Sequence, residues 1–250
     1  MEWQGRTAVI TGGGRGFGKA FADELCAQGA HAVLVDLDEN AANSSAAAIN
    51  SRNVGSAEAI QGDVTDEARM GQVMEQAAQR NGGIDLLINN AGLHSDEYNQ
   101  PMRVLGAAKI RRLFDVNVMG VVTCSLAAAP YLAGRDGANI LNISSMAAYL
   151  GVTAYGDSKL AVAGLTITLA KELGADGIRV NAIAPGMILT ETIKAELPEE
   201  MKALVRRSQA IAADGAESDI VEAMLYLSSR RARFVTGETL RVTGGMGAGV

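Results

Sequence analysis

The chain has 250 residues, 48% of them hydrophobic and 20% charged, with a formal net charge of -6 and an isoelectric point near 5.1. That composition supports one sizeable core and excludes a disordered chain. The acidic balance, with no Lys/Arg run longer than two beyond the loose cluster Arg230, Arg231, Arg233, argues against a nucleic-acid partner.

Short β-branched runs alternate with longer helical stretches. Strands are expected at Thr7–Ile10, Ala32–Val35, Glu58–Gln61, Leu86–Asn89, Asn139–Ile143, Arg179–Ala184 and Thr239–Val242. Helices are expected at about Gly16–Gln28, Glu39–Asn50, Asp66–Arg80, Ala108–Leu132, Ala154–Leu173 and Glu217–Ser228, with helical excursions over Thr190–Arg207. Strand–helix alternation with right-handed crossovers predicts an α/β fold, a doubly wound parallel sheet with helices on both faces. No linker, internal repeat or low-complexity segment divides the chain, so a single domain over residues 1–250 is expected. The uncharged run Val116–Gly134 holds Asn117, Gly120, Ser125 and Pro130 and reads as a buried helix, not a membrane span. Cys26 and Cys124, far apart in apolar surroundings, read as buried thiols. The start Met1-Glu2-Trp3-Gln4-Gly5-Arg6 is not a signal peptide, and a cytoplasmic location is expected.

The first strand runs into Thr11-Gly12-Gly13-Gly14-Arg15-Gly16-Phe17-Gly18. A glycine turn between strand and helix brings backbone N–H groups and a helix N-terminus to a phosphate, with glycine wherever a Cβ would block the approach. Gly13, Gly18 and Lys19 match seven positions of the P-loop pattern, but the eighth, which needs a hydroxyl for magnesium, is Ala20. The spacing of Gly12, Gly16 and Gly18 instead resembles the T-G-x-x-x-G-x-G turn of short-chain dehydrogenases/reductases, which implies a Rossmann-like fold. Asp36 ends the second strand, where a carboxylate accepts hydrogen bonds from the adenosine ribose and repels a 2′-phosphate. Arg15 pulls the other way, because a basic residue there often accompanies NADP in that family. Asp36, followed by the uncharged Leu37, acts on the discriminating group itself, so NAD is expected and NADP is the lesser alternative.

Tyr155-Gly156-Asp157-Ser158-Lys159 places Tyr155 and Lys159 one helical turn apart. A phenol titrates near ~10 in water, and a neighbouring ammonium lowers that value. Tyr155 can then exchange a proton with the substrate oxygen while the cofactor exchanges hydride. By the resemblance, Ser145 orients the carbonyl, its neighbour Ser144 being read as a turn or cap serine, Lys159 also binds the nicotinamide ribose, and Asn117 completes a proton relay. The resemblance extends to Asp63 and Val64 at the adenine, to Asn90, Ala91 and Gly92 in the N-N-A-G turn, and to Pro185, Gly186, Ile188 and Thr190 near the nicotinamide. With Gly12, Gly14, Arg15, Gly16, Phe17, Gly18, Asp36, Leu37, Tyr155 and Lys159 these form the expected cofactor site. No cluster of His, Cys and carboxylates suggests a metal. His31 reads as structural, and His94 is a candidate for the substrate border.

Two departures from the family pattern stand out. Met146–Ala154 is a few residues shorter than usual, and Thr243 replaces the aspartate of Asp-Gly-Gly. The expected activity is NAD(P)-dependent interconversion of a secondary alcohol and a ketone; a P-loop hydrolase and a catalytically silent binding relative are the rivals. A substrate lid is expected at about residues 187–213, where Met187, Ile188, Leu189, Ile193, Leu197, Met201 and Leu204, facing Met146–Leu150, favour a largely apolar substrate. The resemblance also implies a homotetramer built on Ala108–Leu132 and Ala154–Leu173.

Overall fold

Strand β1, Thr7–Thr11, is buried at all five positions, as a strand covered on both faces must be. It lies at the centre of a parallel sheet of order β3-β2-β1-β4-β5-β6-β7, with β2 at His31–Asp36, β3 at Ser56–Gln61, β4 at Leu86–Asn89, β5 at Asn139–Ile143, β6 at Arg179–Pro185 and β7 at Thr239–Val242. The computed structural model describes residues 2–94, 97–188 and 199–247. Alternate residues of β1 feed two cores. Val9 joins Val33, Met74, Leu87, Cys124 and Val162 on one face, while Ile10 joins Phe21, Leu25, Leu34, Leu141 and Met224 on the other.

The first core is covered by α3 (Glu67–Gln79), α5 (Gly120–Leu132) and α6 (Ala154–Leu173), the second by α1 (Gly16–Ala27), α2 (Glu39–Asn50) and a C-terminal helix at Glu217–Ser228. The doubly wound sheet is therefore as expected. Strand β3 starts two residues earlier than its β-branched signal, because Ser56 pairs in register with His31 and their side chains hydrogen-bond at 2.8 Å. The buried His31 also reaches Glu58, as a structural histidine would.

Helix α4, Met102–Phe114, is broken at Gly106 (φ 76°, ψ 158°), so its continuous part begins close to the expected start at 108. It runs through a π-helical segment, Asp115–Met119, into α5. The span Met102–Leu132 is long and apolar enough to cross a membrane by composition. Val116, Asn117, Val121, Cys124, Ala128 and Leu132 are nevertheless buried in the protein, which is how a core helix meets that test. Both thiols are buried, and burial pushes Cys26 to about 11 and Cys124 to about 12.

The chain turns from β1 to β2 on one side and returns through β4 on the other. That reversal opens a crevice at the carboxyl ends of the strands, the place where ligands bind in open parallel sheets. Thr11, Asp36, Asn89, Ile143 and Pro185 close their strands at this edge.

Candidate active site

The glycine turn and the N-N-A-G turn lock together across the crevice. The Asn90 amide donates to the carbonyls of Thr11 and Gly12, both at 3.0 Å. The Thr11 hydroxyl accepts from the N–H groups of Asn90 (3.0 Å) and Ala91 (3.1 Å). Gly12 (φ +63°) and Gly16 (φ +49°) occupy the left-handed region. A methyl at Gly18 would lie 2.2 Å from the Gly12 carbonyl oxygen, and one at Gly14 would lie 2.8 Å from Asp36 Oδ2. This is a cradle that side chains would fill, open toward the start of α1, and it fits a pyrophosphate. Phe17 turns away from it and stacks on Phe21, with ring centroids 6.1 Å apart.

Asp36 is fixed at the end of β2 by two backbone donors, Gly14 N at 2.9 Å and Asp38 N at 3.0 Å. Leu37 beside it is 62% exposed. Arg15 donates to Asp38, so its charge is engaged by a carboxylate 23 residues away. Asp63 accepts from Thr65 N (2.9 Å) and Thr65 Oγ1 (2.7 Å) and lies 3.5 Å from Arg112. Burial opposes ionisation of Asp63, but those hydrogen bonds and the guanidinium together hold its carboxyl below the usual range. Val64 packs at the start of α5, where a methyl at Gly120 would meet its Cγ2 at 2.7 Å.

Ser145, Tyr155, Lys159 and Asn117 converge at the carboxyl end of β5. Thr153 caps α6 by accepting from Gly156 N, and Gly156 lets the Met146–Tyr149 turn approach, since a methyl there would lie 2.4 Å from the Ala147 carbonyl oxygen. The Ser145 hydroxyl lies close enough to the Tyr155 phenol to favour its ionised form. Lys159 Nζ donates to the Ile143 carbonyl at 2.8 Å and lies 5.9 Å from the Tyr155 ring centroid. The Asn117 amide, within the π-helical segment, makes three hydrogen bonds: Oδ1 accepts from Leu93 N (2.7 Å), and Nδ2 donates to Leu93 O and Ser158 Oγ, both at 3.1 Å. A methyl at Gly92 would lie 3.2 Å from Asn117 Oδ1 and 3.4 Å from Lys159 Nζ, so glycine keeps the space beside them open.

Two expectations need correction here. Ser144 is neither turn nor cap; its hydroxyl donates to the Lys159 carbonyl at 2.8 Å, and Ser145 is the residue that caps the following turn. Tyr155 is pushed up by burial, which outweighs the opposing effect of the Ser145 hydroxyl. Burial also pushes the Lys159 ammonium down to about 8, which leaves it charged at neutral pH. Ser158 escaped the sequence reading: fully buried, it accepts from Asn117 and donates to the Tyr155 carbonyl at 2.7 Å. A small polar residue beside the helical lysine was its only local sign.

Gly186 packs on Thr243, whose Cα a methyl would meet at 2.8 Å, and its N–H donates to Val242 O. Thr243, in place of the family aspartate, is buried there. Ile188 points into the core and bridges to Gly215. Thr190, with Leu189, Ile193 and Leu197, lies outside the described residues, as does the side chain of Met201. Arg206, in the helix Glu199–Ser208, forms a two-pronged pair with Asp214, both contacts 2.6 Å. A cavity of about 480 Å³ lies beside this segment, lined by Gly186, Met187, Ile188, Gln209 and Thr243 among others, but by neither Ser145 nor Tyr155. His94 is exposed near the N-N-A-G turn. Among the described residues no group of His, Cys and carboxylates could hold a metal.

Residues 6–201 match the model of the short chain dehydrogenase family. The chain is 36% identical to a 7alpha-hydroxysteroid dehydrogenase of Escherichia coli over 98% of its length and 95% of the relative's. It is 35% identical to a cis-4-hydroxycyclohexanecarboxylate dehydrogenase of Sinomonas cyclohexanicum, covering 96% of each chain. Its fold is similar to that of a Haemophilus influenza protein assigned as a D-mannonate oxidoreductase and solved with bound NAD. That match has a TM-score of 0.92 and 28% identity, over 99% of this chain and 96% of that one.

Proposed function

Because this chain belongs to the short-chain dehydrogenase/reductase family, and so is an oxidoreductase acting on CH–OH or C=O groups with NAD(H) or NADP(H), we propose that it interconverts a cyclic secondary alcohol and its ketone, with NAD preferred. The observation that carries the reading is the convergence of Ser145, Tyr155 and Lys159 beside a glycine cradle that fits a dinucleotide. When bound, the nicotinamide supplies or accepts the hydride.

The chain's own residues do the rest. Backbone N–H groups of Gly12–Gly18 and the start of α1 hold the pyrophosphate. Asp36 receives the ribose hydroxyls, Asp63 and Val64 flank the adenine, and Pro185, Gly186 and Ile188, with Thr190, border the nicotinamide. Ser145 donates to the substrate oxygen and holds it against Tyr155, whose hydroxyl gives or takes the proton. Lys159, buried and cationic at neutral pH, stabilises the phenolate as it forms. Asn117, fixed by Leu93 and Ser158, holds the helix turn that carries both.

A cyclic substrate is supported by the two relatives, whose named substrates are a hydroxysteroid and a hydroxycyclohexane. Met146 and Ala148, buried beside Ser145, supply an apolar wall, and the helix Glu199–Ser208 falls within the segment proposed as the substrate lid. Arg206, paired with Asp214, leaves that lid with one charge fewer to offer an anionic substrate. Self-assembly as a homotetramer is supported by apolar side chains on α5 and α6 that are about half exposed, Leu126, Leu160 and Ile167.

The test is a panel of hydroxysteroids, substituted cyclohexanols and linear secondary alcohols with NAD and with NADP, followed by nicotinamide absorbance. Turnover of the cyclic alcohols with NAD is expected. Turnover confined to linear alcohols, or to NADP, would overturn the corresponding part of the reading.

A further inference from the structure

The glycine turn carries a guanidinium, and a carboxylate two residues beyond β2 holds it. Arg15 lies between Gly14 and Gly16 in extended backbone at the start of α1, and its side chain makes no capping bond there. Its Nη2 donates instead to Asp38 Oδ2. The other oxygen of Asp38 accepts from Ala41 N at 3.1 Å and caps α2, so one carboxylate both caps a helix and takes the arginine. Gly14 N and Asp38 N bind the two oxygens of Asp36, which draws Arg15, Asp36 and Asp38 into a single corner at the carboxyl end of β2. That corner holds one cation and two anions.

We infer that Asp38 is a second determinant of cofactor choice, acting with Asp36 by holding Arg15 away from the ribose. The inference rests on the reading that Asp36 faces the adenosine ribose of a preferred NAD. A guanidinium is the side chain best suited to a phosphate, through paired N–H donors in a planar fork. Arg15 in this corner is therefore a latent ligand for a 2′-phosphorylated ribose. Asp38 suppresses it twice, by taking its Nη2 donor and so fixing where the guanidinium lies, and by adding a second negative charge that a phosphate must approach. The side chains of Arg15 and Asp38 are 77% and 45% exposed, so their attraction is screened and the latch is weak. Its effect on affinity is a few-fold, smaller than that of Asp36, whose charge meets the ribose directly.

The test uses the full chain and measures NADH and NADPH dissociation constants by calorimetry, with melting temperature as a check on the fold. In the unaltered protein NADH should bind at least ~10-fold tighter. Asp38→Asn keeps an oxygen for Ala41 N and removes the charge. It should raise NADPH affinity about 3- to 10-fold and leave NADH within about 2-fold, in keeping with a screened surface pair. Asp38→Ser, also a good cap, makes the same comparison if the asparagine variant melts early. Arg15→Ala should leave NADPH affinity nearly unchanged in the unaltered protein, yet abolish the gain in the Asp38→Asn background, a coupling that a purely structural role for Asp38 would not produce. An unaltered protein that prefers NADPH overturns the assignment of Asp36, and the latch with it. A preference for NADH that both Asp38 variants leave unmoved, or an Arg15→Ala loss equal in both backgrounds, overturns the latch alone.

Discussion

Gly18 tests the cradle directly, because the clash a side chain would create there is with backbone. In Gly18→Ala the new methyl would lie 2.2 Å from the Gly12 carbonyl oxygen, 2.9 Å from the Gly12 carbonyl carbon and 2.8 Å from Asn90 Nδ2. No rotamer change relieves the first two contacts, so the Gly12 peptide must move, and with it the Asn90 bonds that tie the two turns together. Overpacking of this kind costs about 1–3 kcal/mol, and at roughly 2–4 °C per kcal/mol for a chain of this size the melting temperature should drop by about 2–12 °C. Gly71 in α3 is the control, since a methyl there meets nothing within 4 Å and the backbone is helical. Gly71→Ala should gain roughly 0.5–1 kcal/mol from helix propensity and leave cofactor affinity unchanged. Differential scanning calorimetry and nucleotide titration of both variants decide the matter. A Gly18→Ala protein that melts with the unaltered one and binds NADH with unaltered affinity would show that the turn is not the cradle described.

Replacing Tyr155 by Phe should lower turnover by at least ~10²-fold while NADH still binds, since only the titrating hydroxyl is lost; near-normal turnover would remove Tyr155 from the acid/base role. Burial holds the Tyr155 phenol protonated above its ordinary range, so ketone reduction should be favoured near neutral pH and alcohol oxidation should climb through the alkaline range. Rate profiles in the two directions check this, and an oxidation profile that is flat from about pH 7 to 10 would contradict it.

What the sequence made legible was local. The Tyr155–Lys159 step is one helical turn, and the glycine turn is a run of eight residues, so each shows its geometry in its spacing. The sheet was equally open, because its buried strands are short runs of Val, Ile and Leu. The partners that fix the site stayed hidden because they are remote in the chain. Thr11 meets Asn90 across 79 positions, Asn117 meets Ser158 across 41 and Arg15 meets Asp38 across 23. A serine or threonine carries no signature of which distant amide it satisfies, so Ser144 could be read as a cap when its hydroxyl ties α6 to the end of β5. The burial that shapes the acid/base electrostatics stayed hidden for the same reason. Spacing reveals the ammonium next to the phenol, whereas the burial that opposes both charged forms arises only when α6 packs against α4 and the end of β5.

That burial gives the site an energetic signature that can be measured without substrate. Lys159 has its ammonium depressed from 10.5 to about 8 by burial. At about 1.4 kcal/mol per pH unit, this depression corresponds to roughly 3 kcal/mol. The sign follows from proton counting. Between about pH 8 and 10.5 the unfolded chain binds a proton at Lys159 that the folded chain has released, so stability from this group rises with pH across that window. Below pH 8 both states carry the proton, and the folded state bears the full penalty. Lys159→Met removes the titration, but it also leaves the Ile143 carbonyl without its 2.8 Å donor, a loss of about 1–3 kcal/mol for a buried group. The two effects are of similar size at pH 7, so the absolute stability of the variant there decides nothing. Its pH dependence does. Other lysines and tyrosines titrate in both proteins and cancel in the difference, so the unaltered protein should gain on the variant by about 3 kcal/mol as pH rises from 8 to 10.5. Denaturant unfolding at a series of pH values measures this. A difference that stays constant to within about 0.5 kcal/mol over that range would mean that Lys159 is solvated in the folded protein. The account of the site as a buried ammonium behind a partly buried phenol would then fail.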